Sequence, residues 1–164
     1  AGRRDPRRKY TMTPQDASAR NANAETEAEL LRLSQQLLDS IAEADWETYQ
    51  ELCDPGLTAF EPEALGQLVE GMDFHLFYFQ RESSPGRDGD RGENHCNVTI
   101  CSPKVQMFGD VAVVTYVRLN QSFDRVGRPV TSAFEETRVW NRRDGRWRHV
   151  HFHRSALRST FRGK

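Results

Sequence analysis

The chain has 164 residues, of which 37% are apolar and 29% charged, with a formal net charge of −1. This length suits one domain with a real core. The near-zero charge excludes a nucleic-acid binder by composition, and no apolar run approaches the ~20 residues of a membrane helix. Three cysteines without paired spacing (Cys53, Cys96, Cys101) argue against a disulfide framework, so reduced thiols and a cytoplasmic setting are expected.

Residues 1–23 are rich in Arg, Pro, Thr, Asn and Ala, which predicts a flexible basic tail or linker. Only Arg7–Thr13 has strand character there; it reads as a solvated basic tail or, in Lys9-Tyr10-Thr11-Met12-Thr13, as a strand added to a sheet edge. The globular domain is expected over 24–157, with a C-terminal tail over 158–164. From Ala24 to Ala44 the pattern becomes helical, with Leu30, Leu31, Leu33, Leu37, Leu38 and Ile41 on one face. Such a stripe needs a sheet to lie on. Asp45 is placed to cap a second short helix that buries Trp46, Tyr49 and Leu52. Asp54-Pro55-Gly56 reads as a turn and Leu57–Glu61 as a short strand. Gln67–Val69 predicts a brief strand and Met72–Gln80 a short aromatic helix. Ser83–Gly92 has loop composition.

Four strands follow. His95–Phe108 predicts a strand bent at Pro103, since proline interrupts a ladder. Gly109-Asp110 is a tight turn. In Val111–Phe123, Ala112, Val114 and Tyr116 share one face, and Val111, Val113, Thr115, Val117 and Leu119 share the other. Both faces are apolar at the start, which implies cover on two sides. After a turn through Gly127, the last two strands form a hairpin around Asp144-Gly145, a dipeptide suited to a type I′ turn. The layout is α+β: a strongly curved antiparallel sheet wrapped around a long N-terminal helix, giving a cone with a concave interior.

An unbroken hairpin register places Val139 with Val150, Thr137 with Phe152 and Glu135 with Arg154 on the inner face, with Arg143 near the turn. The other face then collects Arg142 with Trp147, Trp140 with His149, and Arg138 with His151. On this reading Trp140, Arg142, Trp147, His149 and His151 form a surface covered by a neighbouring subunit. Alternation also gathers His149, His151 and His153 on that face. Such a trio can hold a metal, but histidines stacked beside the tryptophans are the plainer reading, and no metal or cofactor is expected. Inside the cone, Glu135, Arg143 and Arg154 read either as a structural ion pair or as a small-anion site. A carboxylate beside Arg154 would be held ionised, which makes a poor general acid.

Three stretches carry a family resemblance: DPGLTAFEPEALGQLVEGMDFHLFYF (Asp54–Phe79), GDVAVVTYVRLNQ (Gly109–Gln121) and EETRVWNRRDGRWRHVHFHRS (Glu135–Ser155). Together they resemble the association, or hub, domain of calcium/calmodulin-dependent protein kinase II, over about Glu25 to Arg154. The resemblance implies a nuclear-transport-factor-2-like cone and self-assembly into two stacked rings. It implies a non-catalytic scaffold that gathers kinase domains. It also implies an arginine-lined pocket for small carboxylates related to γ-hydroxybutyrate. In that correspondence two pocket arginines fall on Arg143 and Arg154 and a tyrosine on Tyr78. A third arginine falls on Val130, and a histidine on Asn97. A homo-oligomeric scaffold without nucleic-acid or membrane partners is therefore expected. Its rivals are a small-carboxylate-binding module and a cone-fold isomerase or dehydratase using Glu135 or a histidine inside the cone.

Overall fold

The computed structural model describes residues 14–80, 96–124 and 126–157. The Lys9–Thr13 strand, the Ser83–Gly92 loop and the C-terminal tail lie outside the described residues. Helix α1 runs over Pro14–Ala42, so it begins ten residues before the expected start at Ala24 and includes part of the expected linker. Leu30, Ser34, Leu37 and Leu38 are buried, which is the i, i+4, i+7, i+8 stripe of a helix lying on a sheet. Gln35 Nε2 ties α1 to the sheet by donating to the Val98 carbonyl at 2.9 Å. Helix α2 spans Trp46–Leu52, and Asp45 caps it, its Oδ1 accepting from the Thr48 amide at 3.0 Å.

The remaining elements are β1 (Cys53–Phe60), a 3-10 turn (Pro62–Ala64), β2 (Val69–Glu70), α3 (Asp73–Gln80), β3 (Asn97–Phe108), β4 (Val111–Phe123), β5 (Pro129–Arg143) and β6 (Arg146–Ala156). They form one six-stranded sheet in the order β2-β1-β6-β5-β4-β3. The meander β3–β6 is antiparallel as expected. Strand β1 pairs with β6 in parallel, and β2 pairs with β1 antiparallel. Asp54-Pro55-Gly56 does turn, but inside β1. The Asp54 carboxylate accepts from the Gly56 amide at 2.8 Å, and the β1–β6 register shifts between Cys53 and Thr58. The expected bend near Pro103 is a register shift between Cys101 and Lys104, with Ser102 at φ 50°. Such irregularities curl a sheet. Asp144 and Gly145 take the positive φ values, 50° and 76°, that a type I′ turn requires.

The unbroken hairpin register is corrected by the structure. Arg142 pairs with Trp147 and Trp140 with His149, as read, but Val139 pairs with His151. Val150 is the extra residue of a bulge. Beyond it every pairing moves by one and every β6 side chain changes face. Glu136, not Glu135, lies opposite Arg154, and Arg138 lies opposite Phe152.

The expected faces of the hairpin are also reversed: Glu135, Thr137 and Val139 face outward. The inward face is Phe134, Glu136, Arg138 and Trp140 on β5, with Trp147, His149, Phe152 and Arg154 on β6. It continues on β4 through Ala112, Val114, Tyr116 and Arg118. With leucines of α1 and Tyr49 of α2 these residues make the core.

Candidate functional site

The concave side of the sheet encloses a cavity of about 320 Å³, lined by residues including Glu61, Glu63, His75, Tyr78, Arg118, Phe134, Arg138 and Arg154. Its polar floor follows from strand periodicity. Tyr116 sits opposite Glu136 across β4 and β5, and Arg118 and Arg138 lie two residues away on the same face. Glu136 accepts from Tyr116 Oη at 2.7 Å, Arg118 Nη1 at 3.1 Å and Arg138 Nη2 at 2.8 Å. Burial would raise its pKa, but Arg138 and Arg118 together hold it below the usual carboxylate range. Arg138 also donates from Nε to Tyr116 Oη at 2.6 Å and approaches His149 Nε2 at 3.3 Å. A guanidinium has only donors, so His149 Nε2 accepts and its proton sits on Nδ1, facing Cys53 Sγ at 3.7 Å. Burial holds His149 neutral and pushes the Cys53 thiol up to about 12.

A second layer lies toward the cavity mouth. Arg154 Nη2 donates to Glu61 Oε2 at 2.9 Å and to Glu63 Oε2 at 2.6 Å. Glu61 is buried, and burial raises its pKa although Arg154 opposes the shift. His75 Nδ1 lies 3.7 Å from Glu61 Oε1. Burial, then the charges of Arg138 and Arg154, lower the His75 pKa to about 4, so it is neutral at pH 7. The Arg118 and Arg154 guanidiniums each lie 5.3 Å from the Phe134 ring centroid, one cation–π contact apiece.

Two of the sequence-predicted pocket residues, Arg154 and Tyr78, do line this cavity. Two do not. Glu135 is exposed on the convex face. Arg143 sits beside the hairpin turn, where Nη1 donates to Asp54 Oδ2 at 2.7 Å. Val130 and Asn97 are exposed as well. The cavity arginines besides Arg154 are Arg118 and Arg138, which the sequence reading missed. Period-2 alternation carried the signal, since Arg118 continues the Ala112-Val114-Tyr116 face. The expectation of a cationic interior is also modified. Arg118, Arg138 and Arg154 are matched among the described residues by Glu61, Glu63 and Glu136.

The expected subunit-contact face splits in the same way. Trp140 and His149 are 0% exposed and Trp147 is buried, all within one subunit, so they offer a neighbour no surface. Arg142 is exposed, its guanidinium 6.0 Å from the Trp147 ring centroid. His151 is half-buried on the convex face, with Nδ1 2.8 Å from Thr58 Oγ1. His149 therefore faces opposite to His151 and His153, and the three rings cannot converge on one ion.

Comparison with known proteins decides the lineage. The family model described as the calcium/calmodulin-dependent protein kinase II association domain matches residues 26–158. The chain belongs to this association-domain family. A calcium/calmodulin-dependent protein kinase II hub homology domain from Chlamydomonas reinhardtii is 50% identical, with a TM-score of 0.74 over 80% of this chain and 97% of that one. The Caenorhabditis elegans association domain is 44% identical, with a TM-score of 0.73 over 82% of this chain and 98% of that one. The rabbit (Oryctolagus cuniculus) kinase type II delta subunit is 47% identical over 89% of this chain, which spans only 25% of that protein. A nuclear-transport-factor-2-like protein from Salmonella enterica shares the fold at 20% identity, with a TM-score of 0.65 over 87% of this chain and 98% of that one. As an association domain the chain is a non-catalytic oligomerisation module, which sets aside the cone-fold enzyme reading. No described helix is long and apolar enough to cross a membrane.

Proposed function

We propose that this association domain assembles with copies of itself into a hub of two stacked rings, with roughly twelve or more subunits in a closed symmetry. In a parent protein such a hub would gather kinase domains. One observation carries the reading. The convex face of the sheet holds Val113, Val117 and Leu119 of β4, Val139 of β5 and the exposed Phe60 of β1. The buried residues of α1 and α2 belong to the concave core, so they leave that face uncovered. A lone antiparallel sheet presents polar side chains to water on its outer face. A β-branched outer face calls for a second protein layer, and a second copy supplies one at no cost in specificity.

Native mass spectrometry over a concentration series tests this. Discrete, even-numbered assemblies near twelve subunits or above are expected. Val139→Asp should shift them to smaller species with the subunit fold retained by circular dichroism. A wild-type monomer at all concentrations would refute the proposal.

The cavity supports a second, compatible role as a small-carboxylate site. Arg154 lines it among aromatic walls, and an arginine fork matches a carboxylate. Calorimetric titration with butyrate should show binding that Arg154→Ala abolishes. Unchanged binding in that variant would remove the role.

A further inference from the structure

The two carboxylates at Arg154 are not equivalent. Both accept from the same nitrogen, Nη2, at 2.9 Å for Glu61 and 2.6 Å for Glu63. The Glu61 side chain is 2% exposed and fixed between a strand end and His75, whereas the Glu63 side chain is 43% exposed and rides on the short 3-10 turn. The other two guanidiniums are committed to Glu136 at the cavity floor, where no solvent reaches that carboxylate. A small anion entering the cavity therefore finds one arginine whose counter-ion can leave for water. That counter-ion is Glu63.

We propose that Glu63 is a tethered occupant of the anion position on Arg154, displaced by an incoming small carboxylate, so that this residue sets the affinity of the cavity. The inference rests on the carboxylate-site reading above. Its logic is intramolecular competition. A carboxylate held on the same short turn acts at a high effective concentration, and a free ligand must outcompete it. Displacement returns Glu63 to solvent at little cost, because its side chain is already 43% exposed. Charge balance is kept, because one carboxylate leaves the guanidinium as another arrives.

The test is calorimetric titration of the assembled protein with butyrate, in wild type, Glu63→Gln, Glu63→Ala and Arg154→Ala. Both Glu63 variants should bind about tenfold more tightly or better, a gain of the size that removing a tethered competitor produces. Arg154→Ala should lose binding. If the Glu63 variants bind no more tightly than wild type while Arg154→Ala loses binding, the carboxylate site stands and the tethered occupant is refuted. If Arg154→Ala binds like wild type, or if none of the four proteins binds, the site reading fails and the inference falls with it.

Discussion

Glu135 and Glu136 are adjacent on β5, and the strand's alternation gives them opposite fates. Glu136 is 2% exposed and accepts hydrogen bonds from Tyr116, Arg118 and Arg138. Glu135 is exposed on the convex side. Glu136→Gln keeps the shape but removes the charge that compensates two buried guanidiniums. Breaking a buried ion pair from one side costs about 3–5 kcal/mol, since the remaining charge stays desolvated. In a domain of this size that corresponds to a fall in Tm of roughly 10 °C. Glu135→Gln, an exposed change, should fall within about 0.5 kcal/mol of wild type. Thermal unfolding at one fixed protomer concentration is the assay, because association makes Tm concentration-dependent. Equal effects of the two substitutions, or a larger effect of Glu135→Gln, would refute the inward placement of Glu136.

Other expectations follow from the same inward face. Trp147→Ala should destabilise the subunit itself by about 3–5 kcal/mol, the range for emptying a buried aromatic site. Denaturant midpoints unchanged alongside dissociated assemblies would contradict this. Arg143→Ala removes an ion pair whose arginine side chain is 60% exposed, so stability should change by less than about 1 kcal/mol and butyrate binding should not change. A loss of binding in titration would return Arg143 to the cavity. His75 is held neutral, its pKa lowered from 6.5 to about 4. A depressed pKa gives stability that is full above the unfolded value and is lost as pH falls, here between about 6.5 and 4, and is on the order of 3 kcal/mol. Buried His149 acts in the same direction, while Glu61, with a raised pKa, acts against it. His75→Gln should flatten the Tm-versus-pH curve in that window, and an unaltered slope would count against the assignment.

The elements were largely legible because each carried a local signal. The leucine stripe of α1, the Asp45 cap, the Asp144-Gly145 turn and the bend near Pro103 are all choices made within a few residues. The site was less legible because it depends on register. A bulge adds one residue with no composition signature, and Val150 is an ordinary strand residue. That single insertion put Glu136 in place of Glu135 opposite Arg154 and split the three histidines between faces. The inward face of β5 was misread separately, since Trp140 and His149 pair as expected yet are buried within the subunit. Arg118 and Arg138 could have been found from alternation alone, as charged positions continuing an apolar face that must then be paired. Three resemblance-based assignments, Arg143, Val130 and Asn97, fell on exposed positions. Short blocks can match a family while the pocket correspondence between them slips.

The strand order carries a consequence for synthesis. Strand β6 is the last of the described strands, yet it lies between β1 and β5 near the middle of the sheet. Until it emerges from the ribosome, β1 and β5 each present an open edge, and Glu61 and Glu63 have no arginine. The nascent chain can build helices and the β3–β5 meander early, but closure waits for the final strand, joining residues about ninety positions apart in sequence. Folding is then completed after translation reaches β6. Chains cut short before it should be caught as aggregation-prone intermediates with unpaired edges, and should not enter assemblies as defective members.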